Sequence, residues 1–267
     1  MTSSKTRLAI HGAAGRMGKR LIALGSADPS LDIVAAIESD KHPCIGEDAG
    51  IAAGVSSLNL VFTPYLAGNP QALIDFSVPA GAEAAIKLCV ENKLPLVMAT
   101  TGLSDAQRQM IRDAAKVIPV VWSPSMSLAV NITMKLTEIA GKALRNVPSG
   151  ADVEIIERHH RFKEDSPSGT ALKFGEIVAA AMGLTEHRHG REGAVGQRPH
   201  HEIGYHAVRV GDNPGEHTII FGMLGETVEL TVKASNRDCY AVGALLAAQF
   251  VAKQTPGLYS MSQVLGL

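Results

Sequence analysis

Aromatic residues make up only 4% of the chain, a single Trp among them, so there is no stacking platform for single-stranded nucleic acid. Cysteine is as scarce. Cys44, Cys89 and Cys239 are odd in number and far apart; they suit neither a disulfide framework nor a zinc knuckle, and a reducing, cytoplasmic setting is expected. No apolar run approaches the roughly 18–20 residues of a membrane span. The longest, Tyr240 to Val251, is interrupted by Gly243 and Gln249. Near the N-terminus, Leu8-Ala9-Ile10 is too short to be a signal-peptide core. Charge of neither sign dominates: 25 Lys plus Arg face 26 Asp plus Glu, a formal net charge of −1. That balance excludes a generic polyanion binder and still permits a local basic pocket. What is present is apolar bulk: 267 residues, 46% hydrophobic and 19% charged, enough for a packed core in one large domain or two small ones.

The first half alternates two kinds of segment. Arg7 to His11, Leu31 to Glu38, Ala72 to Phe76, Leu94 to Met98 and Val117 to Trp122 are short apolar runs that read as strands. Between them, Arg16 to Leu24 carries Met17, Leu21 and Leu24 at helical spacing, Pro79 to Glu91 opens on Pro, and Ser104 to Ala115 opens on a Ser cap. Buried strands separated by helices predict an α/β domain built on a parallel sheet with helices on both faces. After Asn131 the pattern changes. Ile132 to Leu144 and Thr170 to Met182 read as helices, with a strand at Asp152 to Arg158 between them. Glu186 to His201 is polar, rich in Gly and His, and reads as a long loop. Tyr205 to Val210, His217 to Met223 and the alternating run ending Val228, Leu230, Val232, Ala234 read as strands with no helix between them. This predicts a second, α+β domain with an antiparallel or mixed sheet. Tyr240 to Val251, apolar almost all round, reads as a buried helix.

Between the first strand and the first helix lies Gly12-Ala13-Ala14-Gly15-Arg16-Met17-Gly18, a G-x-x-G-x-x-G run. A pyrophosphate requires free backbone N–H groups at a helix N-terminus with no side chains in the way, which such glycines provide. Glu38 closes the second strand 20 residues beyond Gly18, where an acid meets the ribose hydroxyls of a dinucleotide. Glu38 disfavours a 2′-phosphate by repulsion, whereas Arg16 and Lys41 offer it positive charge. NADH and NADPH are both permitted, with a tilt toward NADH. Ala99-Thr100-Thr101-Gly102 follows another strand, at the carboxyl edge where ligands of open α/β sheets bind.

The second chemically dense stretch is Glu157 to Thr170, ERHHRFKEDSPSGT. His159 and His160 at a strand end, with Lys163 close behind, concentrate proton donors near neutral pH. Ser168-Gly169-Thr170 then opens a helix whose unpaired N–H groups suit a carboxylate. Donors beside an anion-binding helix end suit the reduction of an acidic substrate, the hydride coming from the cofactor and the proton from an imidazole or ammonium.

On these motifs the chain resembles the 4-hydroxy-tetrahydrodipicolinate reductases (dihydrodipicolinate reductases) of lysine and diaminopimelate synthesis. The likeness runs from the glycine loop through Thr100-Thr101-Gly102, Ser123 to Ser127 with Val130-Asn131, the Glu157 to Ala171 block, and Gly215 to Thr218 as far as Arg237. It implies a Rossmann domain over residues 1–130, to which residues 240–267 return, and a mixed-sheet domain over residues 131–239 that carries the substrate site and builds a homotetramer. It implies His159 as general acid, Lys163 as second donor or charge stabiliser, and His160 as a contact to one carboxylate of a small dicarboxylate. Gly169 and Thr170 then bind the other carboxylate. Gly12, Ala13, Ala14, Gly15, Arg16, Met17, Glu38, Thr100, Thr101, Gly102, Ser123, Pro124, Ser125 and Met126 line the cofactor cleft. Ser39 stands where some members carry Arg, which argues against strong NADPH selectivity, and Val232 stands where many carry His. Hinge closure is expected near residues 128–131 and 239–241.

Competing readings find less support. His201-Glu202-Ile203-Gly204-Tyr205 lacks the second His of a zinc-protease helix, so no metal site is expected. No Tyr is followed four residues later by Lys, which removes the short-chain dehydrogenase pattern. A non-catalytic dinucleotide sensor remains the alternative; it would keep the glycine loop and Glu38 but has no use for His159, Lys163 and Gly169.

Overall fold

The structure, a computed structural model, describes residues 5–267. The chain begins with β1 (Thr6–His11), α1 (Arg16–Ala27), β2 (Leu31–Ile37), the single turn α2 (Ala49–Ala52), β3 (Phe62–Thr63) and β4 (Ala72–Asp75). It continues through α3 (Pro79–Glu91), β5 (Leu96–Met98), α4 (Asp105–Ala114) and β6 (Pro119–Trp122). A second series follows: α5 (Leu128–Leu144), β7 (Asp152–His159), α6 (Gly169–Met182), β8 (Glu186–His189), β9 (Glu202–Arg209), β10 (Glu216–Met223) and β11 (Glu226–Lys233). Last come α7 (Asp238–Val251), β12 (Gly257–Tyr259) and α8 (Met261–Leu265). These elements form two compact units, one of residues up to Leu128 with Asp238–Gly266, the other of Ala129–Arg237.

The first unit is a seven-stranded sheet in the order β12-β6-β5-β4-β1-β2-β3, with every pairing parallel. Its inner strands are apolar on both faces, as a sheet covered on both sides requires. Leu8, Ile10, Ile74, Val97 and Val121 face one cluster, into which Leu21 of α1 and Ala244 and Leu245 of α7 pack. Leu73, Leu96, Met98 and Val120 face the other, with Ile86 of α3 and Ile111 of α4. The carboxyl-terminal segment is thus part of this unit's core. Arg20 pairs with Asp238 at 2.7 and 2.8 Å, and a Cβ on Gly243 would stand 1.7 Å from the Met126 carbonyl oxygen. Local signals set the helix ends: Pro79 begins α3, and Ser104 with Gln107 forms a capping box on α4.

The second unit is a mixed sheet ordered β11-β10-β7-β9-β8. β10 runs antiparallel to β7 and β11, whereas β9 is parallel to β7 and β8. Its inner face (Val153, Ile155, Ile203, Tyr205, Ile219, Phe221) packs on Phe174 and Val178 of α6 and Met134 of α5.

Two expectations need correction. The polar stretch from Glu186 to His201 is not loop throughout: Glu186–His189 is an edge strand, every residue of it exposed. A charged edge strand has no apolar alternation to reveal it, and its charges discourage further pairing. The helix expected from Ile132 starts at Leu128. Among the described residues no helix is long and apolar enough to cross a membrane.

Candidate active site

In the first unit the strand ends converge on one cleft. β1 ends at His11 and the chain turns at Gly12, whose φ of +72° lies in the left-handed region and where a Cβ would stand 2.8 Å from Ser77 Cα. Gly18, one turn into α1, packs its bare Cα on the loop; a Cβ there would lie 2.3 Å from the Gly12 carbonyl oxygen. The loop is a cradle that side chains would fill. Gly12, Gly15, Arg16, Met17, Glu38, Thr100 and Thr101 line an open cleft of about 460 Å³, together with His42 and Ser77. The Glu38 carboxylate accepts from Ala14 N–H at 3.0 Å and Ser39 N–H at 2.9 Å, which holds it beside the glycine loop. Beneath Thr100, the buried Asp75 accepts from its hydroxyl at 2.7 Å and lies 2.7 Å from His11 Nδ1.

The other residues named from the sequence sit differently. Ala13, Ala14 and Met126 are buried in the apolar cluster that packs α1 and α7. Gly102 makes a left-handed turn after β5 (φ +73°), and Ser123 and Ser125 are buried beyond β6. Pro124 lies between those two serines, in the turn that leads from β6 toward α5.

In the second unit β7 alternates, and its buried face runs Val153, Ile155, Glu157, His159. The last two substitute a carboxylate and an imidazole for apolar residues. His159 Nδ1 lies 2.5 Å from Glu157 Oε2. Arg209 of β9 donates to both oxygens of Glu157 at 2.7 Å, and Ser168 N–H donates to Oε1 at 3.0 Å. Burial opposes ionisation of Glu157, but the hydrogen bonds from His159 and Arg209 outweigh it and bring its pKa down to about 2. His217, paired across the sheet with Glu157, stacks edge-on to His159 with ring centres 5.2 Å apart and lies 3.1 Å from Ser168 Oγ. Burial and the neighbouring His159 lower the His217 pKa to about 4, so it is neutral near pH 7.

Ser168 caps α6, its hydroxyl accepting from Ala171 N–H at 3.2 Å. Just beyond it Gly169 is exposed, with no atom within 4 Å of a Cβ built there; Thr170, half-buried, is the next residue of the same turn. Lys163 pairs with Asp165 at 2.7 Å in the loop leading to this turn. His160 Nδ1 and Arg209 Nε are buried without a hydrogen-bond partner among the described residues. The sequence reading thus drew together His159, His160, Lys163, Gly169 and Thr170, with Ser168 at the opening of the helix, but assigned no role to Glu157, Arg209 or His217. One signal was available: an acid two residues before His159 on a strand must share its face. Arg209, 52 residues from Glu157, leaves none. Among the described residues no three His, Cys, Asp or Glu side chains cluster so as to hold a metal.

An all-parallel sheet with a glycine cradle at its carboxyl edge, joined in one chain to a mixed-sheet unit bearing a buried acid–imidazole pair, defines a Rossmann-type oxidoreductase. Two family models cover the chain: "Dihydrodipicolinate reductase, N-terminus" matches residues 6–126 and "Dihydrodipicolinate reductase, C-terminus" residues 129–265. The chain belongs to the dihydrodipicolinate reductase family, NADH- or NADPH-dependent enzymes of lysine and diaminopimelate biosynthesis. It is 57% identical to the 4-hydroxy-tetrahydrodipicolinate reductase of Rhodopirellula baltica over 97% of this chain and 96% of that one. In fold it is similar to the dipicolinate-bound dihydrodipicolinate reductase from Paenisporosarcina sp. TG-14 (TM-score 0.76, 24% identity, 96% of this chain and 97% of that one). A probable dehydrogenase from Thermotoga maritima shares the architecture more loosely (TM-score 0.59, 11% identity, 97% and 92% covered).

Proposed function

We propose that this chain reduces 4-hydroxy-tetrahydrodipicolinate to tetrahydrodipicolinate with the residues just described, His159 serving as general acid. When bound, NADH or NADPH supplies the hydride. The glycine loop from Gly12 to Met17 receives the pyrophosphate in its cradle, with the N–H groups of Arg16 and Met17 at the start of α1 donating to it while those of Gly12 to Gly15 donate within the protein. Thr100 to Gly102 with Ser123 to Met126 border the same sheet edge. Glu38, held beside the loop, accepts ribose hydroxyls and favours NADH. Arg16 and His42 share its cleft and give NADPH a counter-charge.

In the second unit, Gly169 and Thr170 at the start of α6 hold one substrate carboxylate through N–H groups and the helix dipole. His160 holds the other, its unpaired Nδ1 being a polar atom that requires a partner. Lys163 stabilises charge or gives a second proton. The observation that carries this reading is the 2.5 Å pairing of buried His159 with ionised Glu157, whose carboxylate also accepts from Ser168 N–H at the head of that turn at 3.0 Å. An association into homotetramers is proposed for the exposed face of the mixed sheet, where Ile156 and Val208 stand 38% and 41% exposed. A cytoplasmic location accords with the absence of a disulfide among the described residues.

The test is oxidation of reduced nicotinamide, NADH and NADPH in parallel, with substrate made in situ from pyruvate and aspartate semialdehyde. Oxidation that requires both precursors supports the activity, and His159→Gln should then cut turnover by about 10²–10⁴-fold with cofactor affinity unchanged. Cofactor binding without precursor-dependent oxidation would return the chain to the dinucleotide-sensor reading.

A further inference from the structure

We propose that Glu157 is a positioning residue for the reduction: it keeps the proton of His159 on Nδ1, so that Nε2 is the nitrogen that gives a proton to the substrate, and it ties that imidazole to the carboxylate-binding turn. This rests on the reading of His159 as general acid.

Glu157 is 1% exposed on the inner face of β7. A buried carboxylate persists there only if its lone pairs are satisfied, and four N–H groups converge on it: His159 Nδ1 at 2.5 Å, Arg209 twice at 2.7 Å, and Ser168 N at 3.0 Å. An ionised carboxylate only accepts, so Nδ1 carries hydrogen whether His159 is charged or neutral. Nε2 points at the Gly215 turn, where a Cβ would come within 2.9 Å of it. The proton step then balances simply. The Nε2–H bond breaks as the substrate atom takes the proton, the imidazolium becomes neutral imidazole still donating from Nδ1, Glu157 stays ionised, and solvent later reprotonates Nε2.

The same carboxylate links acid and turn. Its Oε1 accepts from the backbone of Ser168, the residue before Gly169, and Arg209 reaches on to the Asp165 carbonyl at 2.7 Å. A displacement of Glu157 would therefore disturb the imidazole and the head of α6 together. The charged and titratable groups around His159 are Glu157 on its own strand, Arg209 on β9, His217 on β10, and Lys163 with Asp165 in the loop before α6. Glu157 is the anion in direct contact.

The experiment is an NMR titration of the full-length chain with ¹⁵N-labelled histidine, His159 being assigned by its loss in His159→Gln. In the unmodified protein, neutral His159 is expected as the Nδ1–H tautomer; the Nε2–H tautomer would overturn the proposal, and this arm needs no Glu157 variant to fold. In Glu157→Gln, whose amide cannot accept from His159 and Arg209 at both of its ends, kcat is expected to fall about 10-fold or more while the Kd for NADH stays constant. An unchanged kcat in that variant would overturn the proposal. If His159→Gln retained full turnover, the general-acid reading itself would fall, whatever Glu157→Gln does to kcat.

Discussion

Lys163 Nζ donates to Asp165 Oδ1 at 2.7 Å across two residues of the loop that leads into α6. Lys163 is one of the groups assigned to an anionic substrate, so Asp165 competes for the charge the substrate would use. Asp165 is the more exposed partner, 59% against 22%, and an exposed pair of this kind contributes at most about 1 kcal/mol, equivalent to about fivefold in affinity. Asp165→Asn is expected to lower the KM for the dicarboxylate by two- to about fivefold at low salt. The check is KM measured against ionic strength; a KM that rises in the variant would show Asp165 to be part of the anion site rather than its competitor.

His217 makes stability depend on pH. Its folded pKa of about 4 lies below the ordinary 6.5 because burial disfavours the charged ring. Between those values the unfolded chain binds the extra proton, so the contribution is whole above pH 6.5 and is lost as pH falls toward 4. The shift corresponds to about 3 kcal/mol as an upper figure. Glu157 and Glu154, both lowered from 4.5 to about 2, add a second loss between those pH values, for they too are stabilising only when ionised. Denaturant melts from pH 7 to pH 3 should therefore show a shallow decline and then a steeper one. In His217→Asn the decline between pH 6.5 and 4.5 should flatten, whatever the variant's stability at pH 7.

The glycine loop depends on Gly18 as much as on the glycines that face the cleft. A methyl at position 18 would stand 2.3 and 2.5 Å from the carbonyl oxygens of Gly12 and Ala13, and backbone atoms cannot turn aside as a flexible side chain can. Gly18→Ala should shift the loop and weaken NADH binding at least about tenfold, or about 1.4 kcal/mol, as read by calorimetry. Ser104→Ala, at the capping box of α4, is the contrasting case. It should cost about 1 kcal/mol and roughly 2–4 °C in Tm without changing NADH affinity.

The parallel sheet was accessible from the sequence because β1, β4, β5 and β6 are apolar on both faces and alternate with helices, two of which open on clear local signals at Pro79 and Ser104; local chemistry and burial agree there. The His159 to Thr170 cluster was accessible because its members are neighbours in the chain. Glu157's other partners were not, since Arg209 and His217 meet it only through the register of β9 and β10 on β7, and pairing register leaves no mark in a single sequence. β8 and β12 were missed for a different reason. The first is polar and the second three residues long, so neither carries enough apolar periodicity to stand out.

Gly215 tests the chemistry at Nε2 from the opposite side of the imidazole. Its φ of +148° is a conformation that side chains rarely adopt, and a Cβ there would lie 2.9 Å from His159 Nε2. The turn is otherwise well held: Gly215 N–H donates to Asn213 Oδ1 at 2.8 Å, Asn213 accepts from His160 N–H at 2.8 Å, and the Gly215 carbonyl accepts from Ala234 N–H at 2.9 Å. A methyl could not be relieved by a simple shift of the loop, so it would press on Nε2, the nitrogen proposed to give the proton. Gly215→Ala is expected to lower kcat by about 10²-fold or more, comparable with loss of the general acid, while NADH affinity, which depends on the other unit, stays the same. If kcat survived, the proton would not be leaving from Nε2; if kcat and NADH affinity fell together, the substitution would have acted through the fold rather than through His159.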